Sequence, residues 1–140
     1  MKSSYENMQA QIVEVLQLIV NRQAHGQSRG KQYIFTSGNK TRAISFDQIL
    51  FFESLPQPHK IAINTFDSQF QIYDSLSSVE KSDPEFVRAH KSFVVNIRNV
   101  ASIDTNHNIV VFKNGSSCPL ANSRTKKVKQ QLLAWKNPPL

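Results

Sequence analysis

The sequence predicts a mostly-β domain that is preceded by an amphipathic helix. Three observations lead to this fold class: many short apolar runs, turn-forming residues between them, and a change of apolar period after residue 30. Before that point, Met8, Ile12, Leu16 and Ile19 recur at helical spacing. Beyond it, runs rich in Ile and Phe are short and closely spaced, which favours packed β-strands over alternating strands and helices.

The predicted helix covers residues 1–23, and a capping box of Ser3 and Glu6 marks its start. Residues 24–30 are polar, include two glycines and lack an apolar period, so they are predicted to be a linker. The helix resembles the last helix of a response-regulator receiver domain. The alternative is a helix that belongs to the β domain and packs on its core. Under the first interpretation we expect a truncated regulator without phosphorylation control.

The predicted β domain covers residues 31–136. Its expected strands are short apolar runs separated by Asp, Asn, Ser, Gly and Pro, at residues 33–35, 49–52, 60–64, 69–73, 100–103, 109–112 and 117–119. Turns are predicted at residues 66–69 and at Asn114 and Gly115. Helices are predicted at residues 74–80 and 123–135. The apolar run at residues 92–96 suits a helix or a strand, and we favour a helix.

The charge is divided unevenly along the chain. Residues 1–85 hold eight Lys and Arg against nine Asp and Glu, a net charge of −1. Residues 86–140 hold nine Lys and Arg against Asp104 alone, a net charge of +8. Such a basic half is typical of a protein that binds a polyanion, although a solvated basic surface gives the same composition.

Several classes of protein are disfavoured by the sequence. It lacks the P-loop, GxGxxG, HExxH and GxSxG motifs, and its four histidines are scattered without metal-ligand spacing. The single cysteine, Cys118, next to a proline on a strand, is expected to be a buried small hydrophobe rather than a nucleophile. No apolar run approaches the ~20 residues of a membrane span. We therefore expect a cytoplasmic protein that is not an enzyme and binds no cofactor, metal or membrane.

Five pieces of sequence occur in a characteristic order: FFES at residues 51–54, HK at 59–60, FVRAHKSFVVN at 86–96, CP at 118–119 and SR at 123–124. Together they resemble the LytTR DNA-binding domain, over about residues 33–133. This domain is the output module of bacterial response regulators in peptide quorum sensing and bacteriocin control. The FFES start is most similar to the Agr-like and Com-like regulators.

The resemblance implies an elongated, mostly-β arrangement of small antiparallel sheets with short helices, whose loops enter successive major grooves of DNA. It implies that His59 and Arg124 contact bases. The residues expected to contact phosphate are Lys60, Arg88, Lys91, Ser92, Ser123, Lys126 and Lys127. The sequence departs from the Agr-like pattern by one extra residue between Cys118 and Arg124.

The chemistry of these residues is consistent with the resemblance. An arginine fork can bind guanine O6 and N7 together, a histidine can make one hydrogen bond at a base edge, and a lysine suits phosphate. The expected partners are double-stranded promoter DNA and, on repeated sites, a second copy of the chain. One alternative is a small β domain that binds single-stranded nucleic acid. A protein-interaction module would explain the N-terminal helix but not the basic half.

Overall fold

Short strands dominate the part of the chain described by the computed structural model, which covers residues 30–137. The strands are β1 (Gln32–Ser37), β2 (Lys40–Ser45), β3 (Ile49–Ser54), β4 (Lys60–Thr65), β5 (Gln69–Tyr73), β6 (Phe86–His90), β7 (Phe93–Asn96), β8 (Val100–Asp104), β9 (Ile109–Phe112) and β10 (Ser117–Pro119). The helices are α1 (Leu76–Ser82) and α2 (Thr125–Lys136). Short 3-10 helices lie at Phe46–Gln48, Ile97–Asn99 and Asn122–Arg124.

The strands form antiparallel sheets of two, five and three strands. β1 pairs with β2, the five-stranded sheet has the order β5-β4-β3-β7-β6, and the three-stranded sheet has the order β10-β9-β8. Tight turns connect most neighbours, and Gly115 in the turn between β9 and β10 has a φ of 88°, which favours glycine. The mostly-β fold of small antiparallel sheets with short helices is therefore confirmed.

The central strand β3 contributes to the core on both faces of the five-stranded sheet. Successive side chains on a strand point to opposite faces, so Phe51 and Phe52 serve different layers. The Phe51 ring stacks on Phe112 of β9 with centroids 5.1 Å apart. The Phe52 ring meets Phe86 of β6 edge-on at 5.0 Å. Both faces of β3 are thus covered, which explains its almost unbroken apolar run.

One apolar cluster joins the five-stranded sheet, the three-stranded sheet and α2. Its buried members are Leu50, Phe51, Val87, Ala89, Val95, Ile97, Val100, Val110, Phe112, Cys118, Leu120 and Val128. Val128 is fully buried and is the main anchor of α2, while Leu132 and Trp135 pack against the same cluster from its edge. The helix therefore has a fixed position against β6.

An ion-pair group, here called the Arg98 cluster, consists of the buried Arg98 and Glu85 and the more exposed Asp47, and it connects distant parts of the chain. Arg98 donates two hydrogen bonds of 2.7 Å to the Glu85 carboxylate and one of 2.7 Å to Asp47. Its guanidinium also lies over the rings of Phe46 and Trp135. Burial alone would lower the pKa of Arg98, but the hydrogen bonds to Glu85 and Asp47 outweigh it and raise the pKa above its ordinary value.

Two asparagine side chains hold the start of β3. The amide nitrogen of Asn96 donates to the carbonyl oxygens of Phe46 and Ile49 at 2.8 and 2.9 Å. The amide nitrogen of Asn99 donates to Asp47 and Ile49 at 3.0 and 2.7 Å. The two amides thereby supply hydrogen bonds to backbone carbonyls at the start of β3, in addition to the bond from the Ile49 N–H to the Phe46 carbonyl that closes the 3-10 turn.

The predicted strands, both predicted turns and the helices near residues 74–80 and 123–135 are confirmed. The preference for a helix at residues 92–96 is wrong. Phe93–Asn96 is strand β7, hydrogen-bonded between β3 and β6 and buried on both faces, so it lacks the alternation that marks most strands. The structure also contains β2, which was not predicted.

The predicted helix over residues 1–23 and the linker over residues 24–30 lie outside the described residues, apart from Gly30. The described elements from residue 34 onward belong to one compact unit. No helix in this part of the chain is long and apolar enough to cross a membrane.

Candidate nucleic-acid interface

The loop between β3 and β4 presents His59 to solvent. The Lys60 N–H donates to the Gln57 carbonyl at 3.3 Å and closes a four-residue turn. Pro58 suits the second position of such a turn, and His59 takes the third with a φ of 61°. The Asp74 N–H donates to the His59 carbonyl at 2.9 Å, which attaches the turn to the end of β5. The exposed imidazole therefore sits on a supported backbone.

Lys60 begins β4 directly after this turn. It is paired in register with Tyr73, the last residue of β5. The Lys60 ammonium lies 5.2 Å from the centre of the Tyr73 ring, in a cation–π contact. Tyr73 is 78% exposed, so the contact holds the ammonium at the surface beside His59.

Lys91 and Ser92 form the turn between β6 and β7. Lys91 is exposed and Ser92 is half-buried. The Ser92 N–H donates to Nδ1 of His90 at 3.1 Å, which gives His90 the structural role of supporting this turn. The Ser92 carbonyl accepts a 3.0 Å hydrogen bond from the Ser54 N–H, at the start of the loop that carries His59. This backbone hydrogen bond links the Lys91–Ser92 turn to the start of the His59 loop.

Arg88 lies in the middle of β6, and its side chain is mostly buried, with 18% exposure. Nη1 forms an ion pair with Glu80 of α1. Nη2 donates to the Lys91 carbonyl at 3.3 Å. The guanidinium thus has protein partners at both terminal nitrogens.

The start of α2 provides the remaining predicted residues. The Ala121 N–H donates to the Ala89 carbonyl at 2.8 Å, which attaches this segment to the edge of β6. Arg124 is half-buried in the 3-10 helix that precedes α2. The exposed residues around it are Ser123, Lys126 and Lys127.

Two cavities show which predicted residues the fold brings together. An open cavity of about 290 Å³, here called the basic cleft, is lined by His59, Lys60, Arg88 and Lys91. A smaller cavity of about 170 Å³ is lined by Glu80, Arg88 and Lys127, so Arg88 belongs to both. Ser123, Arg124 and Lys126 line neither cavity and lie on the segment attached to β6.

Other reactive groups take no part in the basic cleft. Cys118 is buried in the apolar cluster, and this burial raises the pKa of its thiol to about 12, so the thiolate is scarce at neutral pH. Asp104 accepts a hydrogen bond from His107 in the β8–β9 turn, which lowers the pKa of its carboxyl. Within residues 30–137, no group of three or more His, Cys, Asp or Glu residues is placed to hold a metal ion.

Residues 39–133 match the sequence model of the LytTR DNA-binding domain. The chain belongs to the LytTR family. This confirms the resemblance read from the sequence motifs, and the family is one of DNA-binding domains rather than of enzymes.

Relatives of known name support the same LytTR assignment. The chain is 35% identical over 91 residues to accessory gene regulator protein A of Staphylococcus epidermidis, and equally so to that of Staphylococcus aureus. Each alignment covers 65% of this chain and 38% of the relative, so the chain spans less than half of their length. A solved LytTR domain from Bacillus cereus has the same fold, with a TM-score of 0.59 at 21% identity, over 72% of this chain and 95% of that one.

Two residues that contact the predicted basic residues were not identified from the sequence. Tyr73 could have been found, because the predicted turn at residues 66–69 sets the register that places it opposite Lys60. Glu80 could not have been found from the sequence. It lies on a helix and its partner Arg88 on the following strand, and hydrophobic periodicity does not predict contacts between two such elements.

Proposed function

We propose that the chain is a sequence-specific double-stranded DNA-binding transcription regulator, the output domain of a two-component response regulator. His59 and Arg124 contact base edges in successive major grooves. The phosphate contacts come from Lys60, Lys91, Ser92, Ser123, Lys126 and Lys127, whereas Arg88, also expected to contact phosphate, is mostly buried beside Glu80. Gene regulation is proposed from the name of the staphylococcal relatives, accessory gene regulator protein A. Quorum-sensing or bacteriocin control and a second copy on repeated DNA sites belong to the same proposal.

The proposal rests mainly on the basic cleft. Its four predicted residues come from two separate segments of the chain, residues 59–60 and 88–91, and meet around one open cavity. The turn that carries His59 is stiffened by Pro58 and held by the Asp74 N–H. A loop that is already ordered in the free protein loses less conformational entropy on binding, which suits a contact with a base edge. Lys60 and Lys91 beside it suit the phosphates that fix the register of a protein on DNA.

The alternative, a domain for single-stranded nucleic acid, requires exposed aromatic rings on which bases stack. Six of the phenylalanines are buried: Phe35, Phe46, Phe51, Phe52, Phe86 and Phe112. Tyr73 is strongly exposed, but its ring is in contact with the Lys60 ammonium. The burial of most rings favours a duplex partner.

Competition binding with three variants tests whether Arg124 contacts bases. The probes are a duplex enriched by the wild-type chain from a random-sequence library (the selected duplex), a shuffled duplex of the same composition, and one separated strand. Arg124→Ala should weaken binding to the selected duplex by about 1–3 kcal/mol more than binding to the shuffled one, because a bidentate base contact is lost. Arg124→Lys should recover little, since lysine lacks the planar fork.

Lys127→Ala is the matched control on the same segment. It should weaken binding to both duplexes about equally, because a phosphate contact does not depend on sequence. If Arg124→Ala lost equal affinity for both duplexes, Arg124 would contact the DNA backbone instead of a base. Stronger binding to the separated strand than to either duplex would favour the single-strand alternative.

A further inference from the structure

Arg88 differs from the exposed basic residues that surround it. Building on the proposed function, we propose that Arg88 is a positioning residue: Glu80 fixes its guanidinium, which then holds the Lys91–Ser92 turn and, through it, the start of the His59 loop. This role replaces the phosphate contact that the sequence led us to expect for Arg88.

The place of Arg88 in the sheet disfavours a phosphate contact. Side chains alternate along β6, so Arg88 shares a face with Phe86, whose ring packs in the core against Phe46 and Phe52. Glu80 reaches Arg88 from α1, which contacts β6, β7 and β3. The side chains of Arg88 and Glu80 are 18% and 27% exposed. A phosphate would have to compete with a carboxylate already in contact with a mostly buried guanidinium.

Both terminal nitrogens of the Arg88 guanidinium already have protein partners. Nη1 pairs with Glu80, and Nη2 donates to the Lys91 carbonyl at 3.3 Å. Nε is buried, and no residue in the described part of the chain accepts its hydrogen. The guanidinium is therefore directed toward the protein, and the buried charge is tolerated because Glu80 neutralises it.

Hydrogen bonds and one stretch of backbone connect Arg88 to the loop that carries His59. Arg88 holds the carbonyl of Lys91, and the next residue, Ser92, accepts the Ser54 N–H at 3.0 Å. Ser54 ends β3 and begins the loop that leads to His59. A shift of the Lys91–Ser92 turn would therefore move both the Lys91 ammonium and the base of the His59 loop.

The two roles of Arg88 predict opposite results for Glu80→Gln. If Arg88 bound phosphate, removing its carboxylate partner would free it and strengthen binding to every duplex. If Arg88 positions the turn, the amide oxygen of glutamine holds the guanidinium less firmly than the carboxylate does, because an ordinary hydrogen bond replaces a charge-assisted one. The preference for the selected over the shuffled duplex should then fall about fivefold, which corresponds to about 1 kcal/mol. Arg88→Lys should lower this preference as well, because an ammonium cannot bind both partners as the fork does.

Asp67→Asn is the control for charge. It removes one negative charge, as Glu80→Gln does, from the β4–β5 turn, and the asparagine keeps an oxygen to accept the hydrogen bond from Ser68. Its preference for the selected duplex should equal that of the wild-type chain. Thermal unfolding of each variant of the full 140-residue chain checks that the domain remains folded at the assay temperature.

The outcomes separate the two proposals. A wild-type chain that enriches no duplex and prefers none overturns the proposed function. A wild-type chain with a clear preference, together with a Glu80→Gln variant that keeps this preference or gains affinity for both duplexes, overturns the positioning role alone. If Glu80→Gln does not fold, Arg88→Lys decides: an unchanged preference contradicts the positioning role.

Discussion

His59 adopts a left-handed backbone conformation, with a φ of 61°, that a residue with a Cβ atom rarely takes. Glycine or asparagine would fit the third position of this turn at lower cost. The exposed imidazole makes none of the side-chain contacts described for the core, so the fold itself gives no reason for a histidine here. The proposed base contact gives that reason, since strained residues are often retained at functional sites.

We therefore expect His59→Gly to separate stability from binding. The substitution relieves backbone strain, so the free energy of unfolding should be unchanged or rise by up to about 1 kcal/mol in urea denaturation. The affinity for the selected duplex should fall, because the imidazole is gone.

His107→Gly serves as the comparison for His59→Gly. His107 lies in an exposed turn without a positive φ and its ring contacts Asp104, so this change should lower stability and leave DNA binding unaltered. A loss of stability in His59→Gly as large as that in His107→Gly would contradict the strain argument.

At the scale of elements, the Arg98 cluster joins parts of the chain that are far apart in sequence. Arg98 precedes β8, Glu85 precedes β6, and Asp47 lies in the 3-10 turn before β3. Trp135 of α2 lies against the same guanidinium. The cluster therefore ties the start of the central strand to the last helix.

Arg98→Met should destabilise the domain by about 3–5 kcal/mol, because it leaves the Glu85 carboxylate buried without its cation. The double variant Arg98→Met, Glu85→Leu should recover much of this loss, since it removes both charges. Chemical denaturation measures the free energy of unfolding of both. Lys113→Met, at an exposed lysine in the β9–β10 turn, is the control and should change stability little. If Arg98→Met were as stable as Lys113→Met, the ion pair between Arg98 and Glu85 would contribute nothing to the free energy of unfolding.

The elements differ in how well the sequence predicts them, for identifiable physical reasons. β3 and β4 were predictable because their Ile and Phe residues fill the core between turn residues. β2 was not, because residues 40–43 are all exposed and its sequence has no apolar alternation. β7 was assigned to the wrong class because burial on both faces removes the period of two.

The sequence predicts some parts of the candidate site better than others, as it does for the strands. His59, Lys60 and Lys91 were identified from motifs, and the fold gathers them around the basic cleft. The partners of Arg88 and Arg98 were not foreseen, because a lone arginine in a sequence does not reveal which distant carboxylate it will meet. Motifs thus predict which segments meet at the cleft, whereas the burial and ion pairing of a side chain such as Arg88 depend on the assembled fold.

At the scale of the whole molecule, the net charge of +7 should make DNA binding strongly dependent on salt. Each lysine that contacts phosphate adds about 0.9 to the slope of log affinity against log salt concentration. Lys60→Gln, Lys91→Gln and Lys127→Gln should each make that slope shallower by about this amount in titrations at several salt concentrations.

Lys113→Gln makes the same change of charge at an exposed lysine that is not predicted to contact phosphate. The slope of log affinity against log salt concentration for this variant should match that of the wild-type chain. An equal reduction for Lys113→Gln would indicate a diffuse attraction to DNA rather than contacts at defined phosphates. A flat response to salt in the wild-type chain would contradict nucleic-acid binding altogether.

The attachment of Ala121 to the edge of β6 has an expected consequence for synthesis of the chain. β6 is one of the two edge strands of the five-stranded sheet, and the segment that bonds to its edge follows all ten strands in the described part of the chain. On the ribosome, the sheet therefore emerges with an unpaired edge and an uncovered apolar cluster until α2 leaves the exit tunnel. Chains that stop before residue 121 carry a sheet edge open to pairing with one another, so translation through the final helix protects the nascent domain from aggregation.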